Sequence, residues 1–95
     1  MKFRIPSRVQ IAGVDFKVTP EKGMGRNDAR RGTTSYFDRE IRIAPDLSPQ
    51  EKEQTFIHEV THAIDDTFDC DLKESQVKRM SHGFYQVLRQ LEKEE

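Results

Sequence analysis

Two histidines four positions apart, with a glutamate directly after the first, stand at His58-Glu59-Val60-Thr61-His62. On a helix that turns about 100° per residue, positions four apart lie about 40° from each other, so both imidazoles reach one ion from the same side. Glu59 falls about 60° beyond His62, beside such an ion rather than on it. This residue set suits metal-assisted hydrolysis: a held zinc ion acidifies a water and polarises a carbonyl, while the glutamate takes the proton and passes it to the leaving group. Neutral imidazole nitrogens favour zinc over calcium or magnesium. With three histidines and nine glutamates in 95 residues, about 0.01 chance occurrences of this pattern are expected. The bland alternative is an exposed helical face that happens to carry two histidines and a charge.

A catalytic zinc site takes a third protein ligand and keeps one position open. The metzincin spacing does not supply it, because Phe68 stands where a third ligand would and Asp65 where a glycine would. Glu74, twelve residues beyond His62, is the leading candidate if a following helix returns antiparallel. It competes with a structural role, since Asp71 and Glu74 have the spacing of a capping box. His82 is the alternative ligand. Asp65 and Asp69 share the histidine stripe and Asp66 lies near it, which makes them candidates to accept imidazole N–H groups. Tyr85 and Tyr36 are candidates to stabilise an oxyanion, although core or rim packing is the commoner use of a tyrosine.

These residues need elements to hold them. Ser48-Pro49-Gln50-Glu51 combines an N-cap serine, a proline at the first helical position and a glutamate at the third, which predicts a helix from Pro49 to about Thr67. Phe56, Ile57, Val60, Ile64 and Phe68 face away from the histidines as its anchor in the core. Val77, Met80, Phe84, Val87 or Leu88, and Leu91 predict one apolar stripe on a second long helix, ahead of a fraying charged tail from Glu92. Upstream, Val9 and Ile11, then Val14, Phe16 and Val18, alternate around Ala12-Gly13 as a β-hairpin ending at Pro20. Thr33–Phe37 and Glu40–Ala44 predict a second hairpin closed by Pro45. The expected architecture is one α+β domain over residues 1–95, a small antiparallel sheet of two hairpins followed by two long helices, a minimal zincin-like core.

Composition narrows the function further. Sixteen basic and seventeen acidic residues nearly cancel, which disfavours a nucleic-acid partner. The basic run Arg26 to Arg31 lies in an expected loop, Glu21 to Gly32, punctuated by turn residues. No stretch resembles a signal peptide or membrane span, so a cytoplasmic location is expected. Cys70, the only cysteine, rules out an internal disulfide, and its neighbours Asp69 and Asp71 disfavour a thiolate nucleophile.

His58 to Asp66, HEVTHAIDD, resembles the active-site helix of thermolysin-type gluzincins. Over residues 9 to 91, the isoleucine-rich strand ending in Ala44-Pro45, the segment LSPQEKEQTFIHEVTHAI and the terminal helix with Gly83-Phe84-Tyr85-Gln86-Val87-Leu88 resemble the short, phage-associated relatives of the ImmA/IrrE metallopeptidases. That resemblance implies His58 and His62 as zinc ligands, Glu59 as general base and Glu74 as the acidic ligand from the following helix. Larger members carry Glu-Ala-Asn or Glu-Ala-Asp at that point, and this chain does not. By analogy it implies a protein or peptide substrate, with a helix-turn-helix repressor as candidate partner. The expected function is therefore a zinc-dependent endopeptidase, with substrate added as a strand along Glu40–Ala44. The alternative is a zinc-stabilised binding module with little or no activity.

Overall fold

The computed structural model describes residues 4–21 and 31–92. Most of the expected loop, with Arg26 and Arg30 of its basic run, and the tail 93–95 lie outside the described residues. The first hairpin joins β1 (Arg8–Ile11) to β2 (Val14–Pro20), with Val9 opposite Phe16. Its two turn residues, Ala12 and Gly13, both have positive φ, 52° and 80°, as the tightest hairpin turns require. The second joins β3 (Gly32–Ser35) to β4 (Glu40–Ile43), with Thr33 opposite Arg42.

Both hairpins form, yet the sheet they build is mixed rather than antiparallel throughout. Its strand order is β1-β2-β4-β3, and β2 runs parallel to β4 with Val18 beside Ile41. Burial explains the order. β4 carries Ile41 and Ile43, both buried, and gains most from a central position; Gly32-Thr33-Thr34-Ser35 has no large apolar side chain and takes the edge. The expectation that Glu40–Ala44 offers a free edge is thereby corrected, since β4 is paired on both sides and β3 holds the outer position.

Helix α1 (Pro49–Phe68) starts as its sequence predicts. The Ser48 hydroxyl accepts the Glu51 N–H at 3.2 Å, and the Glu51 carboxylate accepts the Ser48 N–H at 3.1 Å. Phe56 and Ile57 are buried and Val60 packs against the same core as Phe16, Ile41 and Ile43. The anchor stops there: Ile64 and Phe68, expected inside, are exposed. The helix ends at Asp69, whose left-handed φ of 53° returns its N–H to the carbonyls of Asp65 and Asp66.

Helix α2 (Glu74–Glu92) runs antiparallel to α1, since Glu74 lies by His58 and His62 while Tyr85 and Arg89 reach Glu53. Its buried row is Val77, Ser81 and Tyr85, with Leu88 partly covered. The expected stripe is thus rotated, and Met80, Phe84, Val87 and Leu91 are exposed. Hydrogen bonding favours the observed rotation, because Tyr85 donates to Glu53 at 2.7 Å and accepts from Arg89 at 3.1 Å. No helix among the described residues is long and apolar enough to cross a membrane.

Candidate metal centre

His58 and His62 project from adjacent turns of α1, their rings 4.8 Å apart between centroids. Each faces a different oxygen of one carboxylate: His58 Nε2 lies 3.1 Å from Glu74 Oε1, and His62 Nε2 lies 3.0 Å from Glu74 Oε2. The three residues offer ligand atoms that all lie within 4.8 Å of one another. Ligands at about 2.0–2.1 Å around a tetrahedral zinc stand about 3.3 Å apart, so a bound ion would draw together those of these atoms that now stand up to 4.8 Å apart.

Ser81, fully buried, donates to the Lys78 carbonyl at 3.0 Å, and its oxygen lies 3.4 Å from His58 Nδ1, where the direction of the contact follows the imidazole tautomer. His58 Nε2 faces the Glu74 carboxylate either as an N–H donor or across a bound cation.

Glu74 does not cap its helix. The donor that a cap would satisfy, the N–H of Lys73, goes to Gln76 Oε1 at 2.8 Å, and Asp71 adopts a left-handed φ of 58° outside the helix. Glu59, only 6% exposed, lies beside the histidines with its Oε1 accepting the Thr34 hydroxyl at 2.7 Å. Thr34 also contacts the Glu59 carbonyl at 3.2 Å, so β3 grips α1 at this residue. Close approach there depends on Gly32, where a Cβ would fall 2.7 Å from Thr55 Cγ2 and 3.2 Å from Glu59 Cγ.

Around these groups lies an open cleft of about 900 Å³ between β3, α1 and α2, walled by Thr34, Tyr36, Glu59, Lys78 and His82. His82 is on this wall but outside the three-residue group. Tyr36 also lines it and donates to the His62 carbonyl at 2.9 Å. Burial, then the charges of Asp66, Asp65 and Glu59, raises its pKa above the ordinary 10.0, keeping it a donor.

Other candidates fall elsewhere. Tyr85 is buried between the helices against Glu53, outside the cleft, and is corrected from oxyanion donor to packing residue. Asp65 accepts the Leu72 N–H at 3.0 Å and so braces the α1–α2 connection rather than an imidazole. Asp69 serves as the helix C-cap, and Asp66 is exposed. Ser81, Thr34 and Gly32 belong to no motif in the sequence that points to this site. For Ser81 a signal existed, because Val77, Ser81 and Tyr85 are four apart and share a face. Comparison with protein-family models, with curated proteins and with solved structures finds no match for this chain.

Proposed function

We propose that the chain is a zinc-dependent endopeptidase acting on a protein or peptide substrate in the cytoplasm, with His58, His62 and Glu74 as ligands and Glu59 as general base. The observation that carries this reading is the approach of both Nε2 atoms to separate oxygens of one carboxylate, at 3.0 and 3.1 Å, beside a buried glutamate that is not itself in the ligand group. Zinc, when bound, supplies an acidified water and a polarised carbonyl. Glu59 takes the proton on its free oxygen while Thr34 holds the other, then delivers it to the leaving amine. Tyr36, whose hydroxyl hydrogen goes to the His62 carbonyl at 2.9 Å, is the remaining candidate to donate to a developing oxyanion, and does so only by giving up that bond. An extended substrate segment adds to the outer edge of β3, which borders the cleft, and a helix-turn-helix repressor is a candidate source of that segment.

The test is turnover of unfolded protein substrates by zinc-loaded wild type and Glu59→Gln. The variant is expected to retain zinc and lose at least about 100-fold in rate, in line with removal of a general base. Equal rates would sink the peptidase reading. One feature favours the second reading, a zinc-stabilised binding module: the ligand group joins α1 to α2, so an ion there also staples the helices. In that case Glu59→Gln leaves partner binding intact while chelation abolishes it.

A further inference from the structure

On α2, Glu74, Lys78 and His82 follow one another at intervals of four, a row that stays within about 80° of arc and forms one wall of the cleft. Glu74 ends in the candidate metal centre; the other two do not. Because α2 runs antiparallel to α1, with Tyr85 and Arg89 reaching Glu53, Lys78 and His82 lie between the centre and the amino end of α1. The facing wall is β3, which also runs against α1: Thr34 meets Glu59, Gly32 meets Thr55 and Arg31 meets Glu51.

The charges along this stretch do not cancel. Arg31 is paired with Glu51 at 3.6 Å. A glutamate four positions before a lysine ordinarily draws it into an ion pair, but the Glu74 carboxylate is turned to the two imidazoles instead. Among the described residues, neither the Lys78 ammonium nor the His82 ring has an ion-pair or hydrogen-bond partner. A divalent ion at the centre would balance the carboxylates of Glu59 and Glu74, leaving Lys78 as the excess charge of the cleft. The chain as a whole has a formal net charge of -1, so this positive excess is local.

We infer that Lys78, assisted by an N–H of His82, sets the specificity of the cleft, and that the substrate class is a peptide with a carboxylate close to the reacting bond, on the side toward the amino end of α1. The carboxylate comes from an Asp or Glu side chain or from the peptide's own C-terminus. The reacting bond rests on the peptidase reading; the carboxylate contact does not. Along the helix axis Lys78 stands about 6 Å beyond Glu74, and His82 about 12 Å. An extended peptide rises about 3.3 Å per residue, which places the carboxylate within about three residues of the bond. One ammonium balances one negative charge, as on a carboxylate; a phosphoryl group, with nearly two, would be left half unbalanced. Because Lys78 is exposed, the preference is modest, about 2- to 5-fold for Glu over Gln.

The first test is binding. Zinc-loaded Glu59→Gln is titrated with fluorescent decapeptides that differ only in Glu, Gln or Lys at one position scanned along the peptide, each with a free or an amidated C-terminus. At the best position Glu should bind about 2- to 5-fold more tightly than Gln, Lys more weakly by a similar factor, and added salt should erase the difference. Lys78→Met in the same background should remove the preference, and Lys78→Glu should invert it. A preference confined to the free C-terminus identifies the terminal carboxylate as the source; one that survives amidation identifies the side chain. In parallel, cut sites made by the zinc-loaded wild type in a random decapeptide pool are read by mass spectrometry, with Asp and Glu expected in excess on one side of the cut. Equal or absent binding of the three peptides, or a preference that survives Lys78→Met, overturns the inference even where the wild type cuts peptides. A Lys78-dependent preference in binding with no cutting by the wild type upholds it and sinks the peptidase reading instead.

Discussion

Ser81 occupies a wholly buried position between Val77 and Tyr85 where an apolar residue would pack equally well, and its hydroxyl is turned to His58. Partners of this kind orient a metal-binding imidazole and fix its tautomer, so Ser81→Ala is expected to keep the fold and lower zinc affinity about 10- to 100-fold. Competition with a chromogenic chelator measures it; unchanged affinity would leave the Nδ1 contact without a role. Thr34 is the corresponding group for Glu59. Thr34→Val preserves volume and removes the donor 2.7 Å from Oε1, so kcat should fall about 10- to 100-fold with zinc affinity unchanged, and Thr34→Ser should recover most of the loss. If Glu59→Gln is inactive but Thr34→Val matches wild type, the base stands and its anchoring by β3 fails. The sequence announced His58, Glu59 and His62 because their spacing lies within one helix. Thr34 was not legible, being 25 residues away on a strand whose face toward α1 is fixed only by tertiary pairing.

At the scale of elements, local signals were the readable ones. The Ala12-Gly13 turn and the Ser48–Glu51 capping box involve neighbours in sequence and both form as expected. The parallel β2–β4 pair and the rotation of α2 were not readable, since each is a choice among surfaces far apart in the chain. In α2 the exposed row Met80, Phe84, Val87 and Leu91 is the more apolar one, and the Tyr85–Glu53–Arg89 hydrogen bonds accompany the rotation that buries Val77, Ser81 and Tyr85 instead. Two predictions belong here. The Ser48 N–H and hydroxyl hold the Glu51 carboxyl below its ordinary 4.5. A carboxylate with a depressed folded-state pKa contributes stability above its unfolded pKa and loses that contribution as pH falls through the folded value. The difference in melting temperature between wild type and Glu51→Gln should therefore be constant near neutrality and shrink below about pH 4.5. A difference that persists at lower pH would assign it to something other than the carboxylate charge. Gly32→Ala, by contrast, should destabilise by about 1–3 kcal/mol at any pH, because its Cβ meets Thr55 and the Arg42 carbonyl. Denaturant unfolding reads that cost directly.

For the whole molecule, the proposed ion lies at the junction of its two helices, and binding should appear as stability. Glu74 is 68% exposed at its side chain and comes from α2, while both histidines come from α1. Its carboxylate reaches the pair across the helix junction, and a cation there would strengthen that bridge. An ion that binds only the folded chain stabilises it by about 2.7 kcal/mol at a free concentration one hundred times its Kd. For a domain of this size that is a rise of roughly 10–20 °C in melting temperature. Zinc is expected to produce such a rise in wild type and an equal one in Glu59→Gln, since Glu59 lies outside the His58–His62–Glu74 group. Glu74→Gln should lose most of the rise, and His62→Ala nearly all of it. The comparison also weighs His82, the other candidate ligand on the cleft wall: His82→Ala should leave the rise intact. If His82→Ala abolishes it and Glu74→Gln does not, the third ligand is His82, and the approach of Glu74 to both imidazoles is an ion pair between the helices rather than part of a metal centre.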